Sequence, residues 1–212
     1  MVLVLSLLDS AVSAQSNQEK PAPSDGSQGI QVTAGFTTGS SRYHSDYFGF
    51  TYSLPDGLVE RTEQYRSKLR PLPGPHPDRN EFILLVADER VVGAPDPICS
   101  IVVTVDRLSR YTVGPRAKDY TQGGMEKEYI HDLVTKAWTD AGDDLLQEGQ
   151  EENVSGKKFF RADYMVNSHP TSGYRTAMIT FQKGFALLWQ FYAPSKVEVD
   201  SLTSSIHTLS GK

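Results

Sequence analysis

Hydrophobic and polar positions change period several times along this chain, and each change marks an element. Phe48, Phe50, Tyr52 and Leu54 alternate with Tyr47, Gly49, Thr51 and Ser53, the two-residue period of a strand with one buried face. Pro55 and Gly57 then predict a turn. Val59 to Ser67 is polar with scattered Val, Tyr and Thr, the pattern of a charged edge strand. Pro71, Pro73, Pro75 and Pro77 make Leu69 to Asn80 an extended loop, because proline supplies no ladder donor. Phe82 to Ala87 and Ile98 to Val105 are nearly continuous apolar, β-branched runs, which predict strands near the sheet centre with cover on both faces.

From Met125 the period lengthens. Ile130, Leu133, Val134, Ala137 and Trp138 fall on one helical face, and Gly142 follows as a terminator, so one long middle helix is expected. Strands are then expected over Leu145 to Glu151, Lys157 to Val166, Tyr174 to Gln182 and Phe185 to Ala193, the last two joined at Lys183-Gly184 as a hairpin. In the last of them Phe185, Leu187, Trp189, Phe191 and Ala193 share one face, and Ala186, Leu188, Gln190 and Tyr192 the other. Ser195 to Glu198 has the spacing of a capping box, opening a C-terminal helix with Val199, Leu202, Ile206 and Leu209 on its stripe. Connections after the middle helix are too short for parallel crossovers, so the fold class is α+β with a central, mostly antiparallel sheet.

The N-terminus reads differently. Val2 to Leu8 is apolar, and Val12-Ser13-Ala14 offers small residues ahead of Gln15, so residues 1–14 are expected to be a signal peptide or the remnant of one. The run is too short to span a membrane, which takes about 20 apolar residues. Residues 15–41 are rich in Ser, Gly, Gln and Pro and predict a disordered tether; residues 42–212 are expected to form one domain. The expected location is outside the cytoplasm, periplasmic or secreted.

Composition narrows the chemistry. A net charge of −5 over 212 residues, without a Lys/Arg cluster, argues against nucleic acid as a partner. Cys99 is the sole cysteine, so no intramolecular disulfide forms, and its apolar run predicts a buried, inert thiol. His44, His76, His131, His169 and His207 are isolated and form no zinc spacing. Nucleophile elbow, phosphate loop and dinucleotide fingerprint are all missing, so no catalytic or cofactor-binding residue is assigned. Asp140, Asp143, Asp144 and Glu148, in an acidic stretch that continues to Glu151 and Glu152, are weak candidates for a calcium site. A solvated acidic turn explains them more simply, because a calcium loop from Asp140 would need glycine at Leu145.

Three segments carry a resemblance: Tyr47-Phe48-Gly49-Phe50-Thr51-Tyr52-Ser53-Leu54-Pro55-Asp56-Gly57, Gly156-Lys157-Lys158-Phe159-Phe160-Arg161-Ala162-Asp163-Tyr164, and Phe185 to Ser195 leading into the last helix. With the order of elements over Tyr43 to Leu209, they resemble the PsbP-like family, whose fold is shared with the nuclear Ran-release factor and with uncharacterised exported bacterial proteins. The resemblance implies an α/β/α sandwich. It implies accessory or binding roles and transfers no catalytic residue. The expectation is therefore an exported, non-enzymatic accessory or binding domain that contacts another protein through the Pro-rich loop or an edge strand. The alternative is a hydrolase-like enzyme whose site, drawing on residues such as Arg161, Asp163 or His169, is assembled from distant segments.

Overall fold

The computed structural model describes residues 34–36, 41–68, 81–90, 97–108, 110–111, 118–119, 124–167 and 172–208. The Pro-rich loop Leu69 to Asn80 lies outside them.

Strands β1 (Ala34–Phe36), β2 (Arg42–Ser45) and β3 (Phe50–Ser53) begin a small antiparallel sheet. The expected first strand is therefore shorter than its alternation suggested. Residues 46–49 form a turn, in which the Phe48 amide donates to Ser45 Oγ at 3.4 Å. Phe48 still buries its ring against Phe185, at 5.9 Å, so the period-two pattern is honoured by packing although the ladder breaks. β1 also carries the sheet into the segment expected to be tether.

Val59 to Ser67 departs further from expectation. Only β4 (Val59–Glu60) is strand, and α1 (Thr62–Lys68) follows as a helix. Thr62 Oγ1 accepts the Val86 amide at 3.0 Å, and Arg66 donates to the Ile83 carbonyl at 2.9 Å. Tertiary bonds thus fix as helix a polar stretch that alternation read as strand.

Strands β5 (Glu81–Glu89) and β6 (Cys99–Arg107) match the two apolar runs, and β7 (Arg110–Tyr111) with β8 (Lys118–Asp119) forms a short separate pair. The middle helix, α2, runs through Glu126–Tyr129, widens to a π-helix over Ile130–Thr135, and closes over Lys136–Asp140. Its fully buried stripe is Ile130, Val134 and Trp138, while Leu133 and Ala137 are half-buried. A wider turn rotates less per residue, so side chains four apart stay in line on the sheet.

β9 (Asp144–Val154), β10 (Lys157–Val166), β11 (Gly173–Gln182) and β12 (Phe185–Ala193) follow as expected. The β9–β10 and β11–β12 turns place Ser155 and Gly156, then Lys183 and Gly184, at positive φ, the geometry that suits the twist of two-residue hairpins. The capping box is present: Ser195 Oγ accepts the Glu198 amide and the Glu198 carboxylate accepts the Ser195 amide. The helix it opens, α3 (Lys196–Ser204), stops before Ile206, which enters β13 (Ile206–Thr208) opposite Tyr52 instead of continuing the helical stripe.

The small sheet has the order β1-β2-β3-β13 and the large sheet β4-β5-β6-β12-β11-β10-β9. Every pairing is antiparallel. Phe185, Leu187, Trp189, Phe191 and Ala193 face a core completed by Phe50, Tyr52, Val199, Leu202 and Ile206; Trp189 lies 4.8 Å from Phe50. Ala186 and Leu188 face a second core with Ile130, Val134, Trp138 and Tyr164. Helices alone therefore do not form both outer layers of the expected sandwich, because a second sheet shares one face with α3.

Gly173 meets a close approach: a Cβ there would lie 2.7 Å from the Tyr192 ring. Gly173→Ala is expected to cost about 1–3 kcal/mol by forced overpacking, read as a lower urea midpoint; an unchanged midpoint would mean the ring moves aside freely.

Candidate binding groove beside the last helix

Alternation along β10 puts Phe159, Arg161 and Asp163 on one face. Phe159 joins the core, while the two polar residues continue the same row towards α3. Asp163 lies opposite Thr176 of β11, whose hydroxyl donates to Asp163 Oδ1 at 2.6 Å. Arg161 Nε donates to that same oxygen at 2.9 Å, and another guanidinium nitrogen reaches Asp200 Oδ1 on α3. Glu152 of β9 stands 3.7 Å from Arg161, and Lys196 Nζ donates to Asp200 Oδ2 at 2.7 Å.

Burial works against the Arg161 charge, but hydrogen bonds from it to Asp163 and Asp200 outweigh this and hold its pKa above the ordinary value. Burial likewise pushes the Asp200 carboxyl up. Hydrogen bonds from Lys196 and Arg161, with their charges, reverse the sign and hold it below the ordinary carboxylate value.

Beside this network lies a groove of about 210 Å³ between the N-terminal turn of α3 and β9–β11. Leu146 and Val199 are its apolar walls; Gln147, Asp163, Tyr174, Arg175, Thr176 and Lys196 supply polar groups. Its volume falls below the roughly 300–1,000 Å³ of sites for drug-sized ligands. It suits a single side chain or a similarly small group.

The acidic stretch does not converge. Asp140 is exposed, Asp144 accepts from Asn167 at 2.7 Å, and Glu148 sits 4.0 Å from Lys127. Glu151 pairs with Lys158 at 2.8 Å. Asp143 is buried on the opposite face of the sheet and pairs with Arg175, whose guanidinium lies 4.7 Å over Trp138. Among the described residues, no group of three His, Cys, Asp or Glu is placed to hold a metal ion.

His131 and His207 are exposed and His44 is half-buried, while His76 and His169 lie outside the described residues. Cys99 is half-buried rather than fully buried, and burial first, then Glu198 and Glu89, push its thiol up to about 11. It therefore carries its proton at neutral pH. The structure does bring Arg161 and Asp163 together. Thr176, the hydroxyl beside that carboxylate, is 1% exposed and spends its proton on Asp163 Oδ1. Sequence reading missed Thr176, Lys196 and Asp200 as parts of this site. The available signal was a pair of charged residues at core-facing positions of β10.

Fold and groove together define an antiparallel α+β domain with a small cleft at one end of its large sheet. No family profile matches the chain, and no curated protein sequence matches it. Its structure is similar to a cyanobacterial PsbP from a Synechocystis species, at 14% identity and TM-score 0.48, over 89% of this chain and 99% of that one. It is also similar to LpqN of Mycobacterium tuberculosis, described as involved in cell envelope biogenesis, at 11% identity and TM-score 0.40 over 76% and 83%. A third similar structure is the Ran-binding protein Mog1p of Saccharomyces cerevisiae, at 12% identity and TM-score 0.34 over 82% and 83%. PsbP and a Ran-binding protein are the two kinds of protein that the sequence resemblance names. At these scores the likeness assigns no residue of the groove.

Two outcomes test the electrostatics. A carboxyl held below its ordinary value stabilises fully above that value, about 3.9 for Asp, and loses its contribution as pH falls through the depressed folded value. Asp200→Asn should therefore lower the urea midpoint at pH 7, with the gap to wild type closing below about pH 4; a gap unchanged at low pH would exclude this linkage. Asp143→Ala, which strands Arg175, should cost about 3–5 kcal/mol. Asp143→Leu with Arg175→Met should cost clearly less in the same measurement, and equal losses would refute the pairing.

Proposed function

We propose that the chain is an exported, non-enzymatic accessory domain that binds another protein, and that β9 and the adjoining groove form its contact surface. The observation carrying this reading is the edge of the large sheet at β9, which no other described strand covers. β9 is 11 residues long and ends the strand order, whereas β4 at the other edge has two residues. Among the described residues one side of its backbone is unpaired, and Leu145 and Leu146 are 38% and 48% exposed there. Val197, 79% exposed, lies on the neighbouring α3. An exposed strand edge with apolar side chains is a ready template for an added segment.

Export is supported by the apolar run Val2 to Leu8 and the small residues before Gln15, and residues 15–41 then serve largely as a tether. Among the described residues, no helix is long and apolar enough to cross a membrane. The edge strand first expected at Val59 to Ser67 gives way to the opposite edge, because that segment turns into α1 after two residues. Leu69 to Asn80, which lies outside the described residues, remains a second contact surface in this reading on the strength of its four prolines.

A photo-reactive p-benzoylphenylalanine placed at Leu146, compared with one at the exposed Lys136 on α2, tests the surface in cells that make the protein. A discrete protein adduct is expected from position 146 and none from position 136. Identical adducts from both, or none from position 146, would overturn the assignment.

A further inference from the structure

The groove's chemistry narrows the partner, on the reading that β9 is a docking edge. We propose that the groove receives one lysine side chain from an extended segment of another protein, with its ammonium bound by Asp163 Oδ2.

Asp163 lines the groove and is 7% exposed. Both bonds that it accepts, from Arg161 Nε and Thr176 Oγ1, end on Oδ1. Oδ2 accepts no hydrogen bond from the described residues. A carboxylate oxygen fixed in place on a mostly buried side chain is a strong acceptor whose capacity a donor can still fill.

Net charge selects a cation for that place. Four carboxylates, Asp143, Asp163, Asp200 and Glu152, stand against three cations, Arg161, Lys196 and the Arg175 that also lines the groove and is paired with Asp143, leaving one negative charge in excess. Lys196 also lines the groove, but Asp200 holds its ammonium at 2.7 Å. β9 itself carries Asp144, Glu148, Glu151 and Glu152 and no basic residue. Lys127, Lys158 and Arg161 stand beside the three glutamates, while Asp144 accepts only from the neutral Asn167 among the described residues, so the edge itself offers a basic segment acidic and not basic side chains.

Geometry selects lysine over arginine. A guanidinium binds a carboxylate best through both oxygens, and Oδ1 is already taken twice. One free oxygen matches a point-like ammonium. The four-carbon stem of lysine would lie along Leu146 and Val199, as such stems do on apolar walls. A strand added at β9 would send alternate side chains towards this face, which supplies the route into the groove.

The test titrates the full chain with Thr-Val-Thr-Lys-Thr-Val-Thr and with the same peptide carrying norleucine or acetyl-lysine at its centre, followed by the methyl NMR signals of Leu146 and Val199. The lysine peptide should bind about ten-fold more tightly than either neutral version, the scale of one charged hydrogen bond. Asp163→Asn should bring the three peptides to equal affinity. The wild-type series decides the matter by itself if that variant does not fold. Equal binding of the three peptides by wild type, or binding of none, would overturn the proposal. So would n-butylammonium binding as tightly as the lysine peptide, which would mark a site for a free amine. A partner adduct at position 146 without any lysine preference removes the lysine pocket and leaves the docking edge standing.

Discussion

Strand β12 is apolar on both faces and sits fourth of seven in the large sheet, and the rest of the molecule is arranged to satisfy it. Trp189 and Leu188 are neighbours in sequence and point to opposite sides, so neither face of the sheet can be left to water. Burying each large side chain contributes about 1.5–3 kcal/mol, which makes cover on both faces the cheapest arrangement. One face takes α2 through Ile130, Val134 and Trp138. The other takes the small sheet and α3 through Phe50, Tyr52, Val199 and Leu202. The chain reaches this cover from widely separated segments: Tyr52 donates its hydroxyl to the Leu202 carbonyl at 2.9 Å, and Tyr43 donates to Leu84 at 2.8 Å.

That arrangement also explains where the charged network lies. The small sheet covers the aromatic part of its face, including Phe159 of β10, and α3 covers the Arg161 end of that strand. There the β10 row changes from Phe159 to Arg161 and Asp163, so the helix must meet a charged floor. Asp200 does so through Arg161, while Val199 and Leu202 hold the apolar side of the same helix. Removing two such charges from water is costly unless every lone pair and proton finds a partner. The network nearly meets that condition, and the acceptor it leaves over belongs to Asp163.

Much of this architecture was legible in the sequence, because strands β10, β11 and β12 have patterns that only one burial scheme satisfies. The two faces of Phe185 to Ala193 separate in space as alternation divides them, and the capping box at Ser195 is formed. Elements held by distant contacts were less legible. Thr62 and Arg66 bond to β5, and those bonds make a helix of a segment whose own pattern is ambiguous. Ile206 fits a helical stripe by spacing, yet Tyr52 recruits it into a strand. The same limit hid the groove: Arg161 and Asp163 stand out as charged residues in a core-facing row, but Thr176, Lys196 and Asp200 join them only through register and helix docking. The carboxylates of the acidic stretch stay apart for a related reason. Strand alternation and the turn after α2 distribute its carboxylates over both faces, and Asp143 is drawn beneath Trp138 and Arg175.

The edge at β9 is not an unguarded one. Its register with β10 shifts between Arg161 and Asp163 and again between Asp163 and Tyr164, so the strand is bulged beside the groove. Bulges and like charges both discourage a second copy of the same strand from adding there, since β9 against β9 would oppose acidic residues and mismatch the bends. The features that block self-pairing leave room for a different segment, one that is basic and follows the bulged path. Selectivity would then come as much from what the edge repels as from what the groove holds. An exposed pair of leucines on a long edge is hazardous in isolation, and here the acidic residues beside them make the exposure conditional on the partner's charge.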